Sequence, residues 1–406
     1  MGVDIRELNH SGFCSYDPGF ANTAGCQSAI SWIDTENSVL LHRGYPVDQL
    51  ARQCDFLEVA YIMLNGDAPD EASYQTFRET ITRHTLVHEQ IARMCSGFRR
   101  DSHPMALMCA LVGALAAFYH DVLDVENPQH RALAATRLLS KMPTIAAMSY
   151  KYTIEQPAAY PRNDLSYAGN FLQMLFAIPA EKYVLNPVIE QAMNQILVLH
   201  ADHGQCASTT TVRAAGSSGA NLFACVAAGL ASLWGPMHGG ANESSMRMLE
   251  EIESVDQVPA FLRQAKRDPQ AFRRLGFGNS RYRHRDPRAD ILRETSHRVL
   301  AEVGMSDRLL QVAMALEDVA LTDPYFVENG LSPSVDFYTA VILKAMNLPS
   351  SMFAVVTAVG RTVGWVAHWN EMHQAPLTIY RPRQIYVGEG YRDYVSRRGE
   401  RSTGPQ

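Results

Sequence analysis

The chain has no Cys-x-x-Cys pair, and its seven cysteines (Cys14, Cys26, Cys54, Cys95, Cys109, Cys206 and Cys225) are odd in number and scattered. That argues against a disulfide framework and against a cysteine zinc site, and for reduced thiols in a reducing compartment. No basic region followed by an apolar run opens the sequence, and Arg6 stands where a myristoylation signal needs Ser or Thr. A cytoplasmic location is the expectation. The longest apolar runs, around Met105–Tyr119 and Leu222–Trp234, are interrupted by glycine and fall short of the roughly 20 residues that span a bilayer. They read as buried helices, and no membrane partner is expected. Positive charge is also scarce: the net charge is −6, so a general basic surface for nucleic acid is absent and anion binding has to be local. No H-E-x-x-H and no solenoid-type repeat occurs, and a polar tail after Arg392 is the one low-complexity tract.

What the sequence does have is apolar material. Hydrophobic residues make up 47% of the 406 positions against 19% charged, which supplies a large core and excludes disorder. The length suits two domains, or one domain with an insertion. Helical periodicity dominates. In "DRLLQVAMALEDVAL", Leu309, Val312, Ala313, Leu316, Val319 and Ala320 recur at helical spacing, with Arg308, Glu317 and Asp318 off that stripe. "NPVIEQAMNQILVLHADH" reads similarly, capped by Asn186 and opened by Pro187. Strand signals are confined to "QSAISWID" and "SVLLHRG", a small hairpin around "TEN". Clusters of Gly and Pro at Gly235–Gly240, Gly276–Arg288, Asn329–Pro333 and Arg381–Gly390 mark loops on a helical scaffold, and these loops hold most of the reactive side chains.

Four constellations could carry chemistry. "LHADHGQCAS" holds His200 and His203, which fit a metal pair, a core histidine at a helix end, or an imidazole on a substrate oxygen. In "GPMHGGANE", the glycines around His238 let backbone approach a ligand, so the histidine could donate to a developing enolate oxygen; the alternative is a turn histidine without a role. Asp336, in "SPSVDFYTAVILKAM", is either an N-terminal helix carboxylate or a base whose pKa an apolar pocket raises. Arg361 lies inside an apolar helix, where a charge is costly unless it meets an acidic partner or an anionic ligand. Together with Arg381 and the arginines of "RRLGFGNSRYRHRDPRADIL", it points to a small dianionic or trianionic ligand held by bidentate forks.

Six segments in order, "HADHGQCASTTTVRAAGSSGAN", "LWGPMHGGANE", "GFGNSRYRHRDPRA", "SVDFYTAVILKAM", "RTVGWVAHWNE" and "RPRQIY", resemble citrate synthase of the bacterial type, over about Asp17 to Arg392. The resemblance implies an all-α, two-domain citrate synthase-like fold, with a large helical domain (1–238 and 346–406) and a smaller one (239–345) closing over the site. It implies a homodimer and a metal-free acyltransferase that condenses acetyl-CoA with a 2-oxo acid and keeps no cofactor permanently. Residue by residue, Asp336 matches the base that deprotonates the acetyl methyl, and His238 the histidine on the thioester carbonyl. His203, Arg288 and Arg361 match oxo-acid ligands, Arg381 an arginine reaching in from the other subunit, and Arg283 a basic position near the coenzyme A phosphates. The β-region that many bacterial members place ahead of "DPGF" is missing, so NADH inhibition is not an expectation.

The sequence departs from the family in one loop. Where the family reads G-F-G-H-R-V-Y, with the histidine polarising the ketone of oxaloacetate, this chain reads G-F-G-N-S-R-Y. Asn279 can donate a hydrogen bond but cannot hand over a proton near neutral pH. Arg281 and Arg285 add positive charge where uncharged residues are usual. A phosphonate is nearly dianionic and tetrahedral, which suits relocated arginines. The expectation is therefore a modified oxo acid such as phosphonopyruvate, bound in part by Arg281, as in phosphonomethylmalate synthases. An ordinary citrate synthase and a non-catalytic metabolite- or coenzyme A-binding homologue are the alternatives.

Overall fold

Strand character is confined to one small antiparallel sheet in the computed structural model, which describes residues 5, 13–267, 276–278, 282, 285–304, 307–394 and 397. Strand β1 (Ser31–Asp34) pairs with β2 (Val39–His42), Ser31 opposite His42 and Asp34 opposite Val39, and β3 (Tyr45–Pro46) adds to β2. The turn is held by Asp34, whose carboxylate accepts from the N–H groups of Glu36 and Asn37 at 3.0 Å. The alternation of β2 turns Leu40 and His42 inward. A fully buried histidine in an edge hairpin is the first sign of a polar centre inside the fold.

Seventeen α-helices follow among the described residues. They are α1 (Val47–Gln53), α2 (Phe56–Asn65), α3 (Glu71–Arg83), α4 (Glu89–Met94), α5 (Pro104–Phe118), α6 (Pro128–Thr153), α7 (Tyr167–Phe176), α8 (Pro187–Leu199) and α9 (Ala207–Gly216). Then come α10 (Leu222–Leu233), α11 (Ala241–Glu251), α12 (Val258–Ala265), α13 (Pro287–Val303), α14 (Arg308–Thr322), α15 (Pro324–Glu328), α16 (Val335–Ala345) and α17 (Phe353–Met372). Many starts are capped by short polar side chains, as the composition of the loops requires. Asn186 Oδ1 accepts from the N–H groups of Val188 and Ile189, as expected, and Asp307 caps α14.

Helix α14 buries Leu309, Val312, Ala313, Leu316 and Ala320, the expected stripe, with Val319 packed at its edge. Glu317 is a correction: read as off the stripe, it is 3% exposed. Its carboxylate accepts from Arg293 Nε at 2.5 Å, faces His297 Nε2 at 3.0 Å, and accepts from Tyr338 Oη at 2.9 Å. Partners from α13 and α16 offset its desolvation, and the stripe counts only apolar neighbours.

The core is organised on α17, in which every residue from Phe353 to Trp369 is buried against α6, α8, α9 and α10. By length and composition Ser350–Met372 would also span a membrane, but 89% of it is packed inside the fold. Residues Ser28–Thr378 form one compact unit, and Met1–Gln27 with Ile379–Gln406 form another.

Candidate active site

Arg361 sits at the middle of α17, between two glycines. A Cβ on Gly360 would lie 2.8 Å from Leu197 O, and one on Gly364 2.3 Å from Ala201 O. The bare backbone lets the 197–206 segment cross close over the helix. Arg361 Nε consequently donates to His200 O at 2.7 Å, and Nη1 contacts Cys206 Sγ at 3.1 Å. The guanidinium is 4% exposed, and no described carboxylate makes an ion pair with it. The carboxyls of Asp202 and Asp336 feel its charge without making an ion pair with it.

The segment after α8 is a buried polar turn. His200 closes the helix, its Nδ1 donating to Ile196 O at 2.9 Å. Because a carbonyl only accepts, the proton is on Nδ1 and Nε2 presents a lone pair, for which the described residues supply no partner. Burial, then Arg288 and Arg361, push its pKa down to about 3, and it stays neutral. Asp202 is fully buried and accepts from Ser31 Oγ at 2.6 Å and Gly204 N at 2.8 Å, with His368 Nε2 at 3.4 Å. Burial works against its charge, but His368 and Arg361 outweigh it and hold the carboxyl well below the usual range. His42 Nδ1 meets Ser31 Oγ at 2.9 Å and completes this network. His203 is half-buried, with Nε2 3.1 Å from Tyr282 Oη.

His238 lies in a tight turn, Gly239 N bonding Leu233 O at 2.8 Å and Gly240 N bonding Gly235 O at 3.2 Å. Its Nε2 is 2.8 Å from Ser208 Oγ, which also accepts from Trp365 Nε1 at 3.2 Å. The indole can only donate, so the serine proton is free to point at Nε2, which leaves Nδ1–H as the histidine's donor.

Asp336 stands in the first turn of α16, but the cap is Ser334, whose Oγ accepts from the N–H groups of Asp336 and Phe337. The capping alternative is thereby removed for the carboxylate. Burial raises Asp336 above the ordinary carboxylate range, against the pull of Arg288 and His238. With the amide oriented to satisfy its neighbours, Asn242 Nδ2 donates to Asp336 Oδ1 at 2.7 Å and to its carbonyl at 3.0 Å, while Thr357 Oγ1 donates to Asn242 Oδ1 at 3.3 Å. The segment before Asp336 bridges to the glycine loop: Gly278 N donates to Ser332 O at 2.7 Å, and Ser334 N to Gly276 O at 3.0 Å. Gly276 has φ +93°, and a Cβ there would meet Ser245 Oγ at 2.2 Å, so the loop seats only with glycine.

Arg288, 6% exposed, is bound to Asp286 by two donors, Nε at 3.0 Å and Nη2 at 2.7 Å, while Nη1 donates to Leu199 O at 3.3 Å. Arg285 pairs with Asp290 at 2.6 Å, and its buried Nε and Nη2 have no hydrogen-bond partner among the described residues. Asn279, Arg281 and Arg283 lie outside the described residues. Arg381 is exposed and belongs to the second compact unit. The structure thus brings together Arg361, Arg288, His238 and Asp336, with His203 on the adjoining turn. It adds Asn242, Ser208, Cys206 and Asp286, which sequence reasoning missed. Asp286 alone had a signal, as an N-cap residue ahead of Pro287. No three His, Cys, Asp or Glu side chains that could hold a metal ion cluster among the described residues.

An all-α framework encloses a buried carboxyl of raised pKa, a hydrogen-bonding imidazole and two buried guanidiniums, side chains of the types an enzyme site for an anion uses. The family described as "Citrate synthase, C-terminal domain" matches residues 19–383, and the chain belongs to the citrate synthase family, whose reaction is an acyl transfer that turns acyl into alkyl. Among solved structures, citrate synthase from Pyrobaculum aerophilum is 31% identical with a TM-score of 0.86, over 94% of both chains. Citrate synthase from Thermoplasma acidophilum, in ternary complex with carboxymethyl coenzyme A and oxaloacetate, is 26% identical with a TM-score of 0.85, over 95% of this chain and 99% of that one. The Thermotoga maritima enzyme is 28% identical with a TM-score of 0.78, over 93% and 97%.

Proposed function

We propose that this chain condenses acetyl-CoA with phosphonopyruvate and water, giving 2-phosphonomethylmalate and free CoA. Asp336 removes a methyl proton from the acetyl group, and His238 donates to the thioester oxygen as the enol forms. A thioester methyl is far less acidic than a carboxylic acid, so base and donor have to act together. The raised carboxyl of Asp336 supports the first role, and the Ser208 contact that leaves Nδ1–H on His238 supports the second. Arg361, with no carboxylate partner among the described residues, supports a carboxylate ligand, and Arg288 and His203 complete the oxo-acid site. Coenzyme A and oxaloacetate in the Thermoplasma complex support the two substrate classes.

The phosphonate is carried by one observation: Asn279 replaces the family's histidine, in a loop where Arg281 and Arg285 add charge. An anion with more charge and no need of a proton from that position fits the change. The second reading, oxaloacetate giving citrate, is favoured by the retained arginines and by the Thermoplasma complex. Further parts of the proposal are a homodimer with Arg381 contributed across its interface, Arg283 near the coenzyme A phosphates, and a cytoplasmic location. A small domain of residues 239–345 closes over the site; the packing of α11, α12, α14 and α16 on one another supports that division.

The test offers the purified protein acetyl-CoA with phosphonopyruvate, oxaloacetate, pyruvate or 2-oxoglutarate while thiol release is followed. Turnover with phosphonopyruvate above that with oxaloacetate is expected. Turnover with oxaloacetate alone would replace the first reading by the second. Asn279→His should raise the oxaloacetate rate relative to phosphonopyruvate; equal effects on both would remove Asn279 from substrate choice.

A further inference from the structure

No sulfur of this chain takes part in the proposed chemistry, yet one lies against the guanidinium proposed to hold the oxo acid. Cys206 Sγ is 3.1 Å from Arg361 Nη1, 3.2 Å from Thr209 Oγ1 and 3.3 Å from Ser208 Oγ, and the residue is 7% exposed. It occupies the N-cap position of α9 but makes no side-chain bond to the helix N–H groups. The sulfur is turned to Arg361 instead, while still at the end of a ten-residue helix where negative charge is favoured. A guanidinium, the Thr209 hydroxyl and a helix terminus are what a thiolate needs. Arg361 needs a negative partner in return, because a buried cation without one is strongly destabilising.

We infer that Cys206 is the resident counter-ion of Arg361: its thiolate neutralises the guanidinium in the free enzyme, and the sulfur takes up a proton when the carboxylate of the oxo acid binds there. The inference rests on the reading of Arg361 as an oxo-acid ligand. The groups around the sulfur agree on the sign. Burial pushes the thiol up, but Arg361 on α17, with His238 on the 235–240 turn, outweighs it and leaves it well below the ordinary cysteine range. Asp202 and Asp336 act on the same guanidinium from the 200–204 turn and from α16, and His42 and His200 stand beside it neutral. An arriving carboxylate would put two anions on one cation, so the weaker acid, the thiol, takes the proton from solvent.

Binding then consumes one proton, and the oxo acid binds more weakly as pH rises above the free enzyme's thiol pKa. The expected slope is about tenfold in Kd per pH unit, one proton per ligand. The experiment measures Kd for phosphonopyruvate and for oxaloacetate across neutral and alkaline pH, in wild type and in Cys206→Ser, with proton uptake read by calorimetry in two buffers. Wild type should show the slope and an uptake approaching one proton, and Cys206→Ser should lose both and bind more tightly than wild type at alkaline pH. A slope that persists in Cys206→Ser, or a wild type without one, overturns the inference. If neither oxo acid binds at any pH, the substrate reading fails, and the ultraviolet thiolate band decides about the sulfur separately. A band at neutral pH in wild type that is missing from Cys206→Ser sustains the counter-ion, and its absence from wild type overturns it. Cys206→Ala replaces the serine variant if that one does not fold.

Discussion

Two arginines of the helical unit are buried almost equally, Arg288 at 6% exposure and Arg361 at 4%, and their charges are handled in opposite ways. Arg288 grips Asp286, two residues away in sequence, with two donors. Arg361 has a backbone carbonyl and a sulfur. The first meets a carboxylate at the start of α13; the second meets no carboxylate at ion-pair distance among the described residues. The difference separates a guanidinium neutralised by a carboxylate of its own loop from one whose contacts are a carbonyl and a sulfur.

Asp336 feels both arginines, so it is where the comparison can be pressed hardest. Asp336→Asn keeps the shape, and Asn242 can still find an oxygen there, but the proposed base is gone. Thiol release at saturating substrate should fall about 10²- to 10⁴-fold, the usual contribution of a positioned base. The Kd of the oxo acid, set by the arginines, should move by less than about threefold, under 1 kcal/mol. Loss of oxo-acid binding in parallel with turnover would mean that the carboxylate positions substrate and is not the base.

Replacing each arginine by Met tests the two solutions directly through urea unfolding. Arg288→Met strands the buried Asp286 and should cost about 3–5 kcal/mol. Arg361→Met strands no carboxylate, because Cys206 can revert to a thiol, and should stay within about 1 kcal/mol of wild type, the value of the hydrogen bond lost at His200 O. Equal losses would show that Arg361 is a structural ion after all.

Much of this was legible in the sequence, for identifiable reasons. A charge inside an apolar helix is conspicuous, and Arg361 is indeed buried there, 4% exposed. Glycine density around His238 and the periodicity of α14 and α8 translated directly into a turn and two helices. Contacts between side chains far apart in sequence were not legible. Cys206 meets Arg361 across 155 residues, and Asn242 meets Thr357 across 115. Glu317 was misplaced because its burial depends on Arg293, His297 and Tyr338, which no local pattern connects to it. Ser208 carries no local signal of its task, and only packing against Trp365 and His238 supplies one.

The imidazoles beside the two arginines extend the comparison to pH. Burial lowers His42 from 6.5 to about 4, helped by Arg288 and Arg361 and opposed by Asp202. Between those values the unfolded histidine binds a proton that the folded one refuses, so stability is full above 6.5 and falls as pH drops toward 4. The loss from His42 alone is roughly 3 kcal/mol. His42→Gln should be less sensitive over that window, read as the change in urea midpoint with pH. An identical pH dependence in both proteins would mean that His42 already carries a proton in the folded state.

The smallest expected effect bears on Ser208, beside the sulfur that meets Arg361. Trp365 Nε1 can only donate, so it occupies one lone pair of Ser208 Oγ, and the serine proton goes either to His238 Nε2 or toward Cys206 Sγ. At 2.8 Å the imidazole is nearer than the sulfur at 3.3 Å, and that bond makes Nδ1 the protonated nitrogen. Ser208→Ala removes the preference without touching either ligand, and leaves the indole N–H without its acceptor. Turnover should fall about tenfold, one hydrogen bond's worth of roughly 1.4 kcal/mol, with oxo-acid Kd little changed. Ser208→Thr, which keeps the hydroxyl, should recover most of the rate. A variant that loses thermal stability but keeps its kcat would assign Ser208 to packing under Trp365, and the tautomer of His238 would then be set by the substrate.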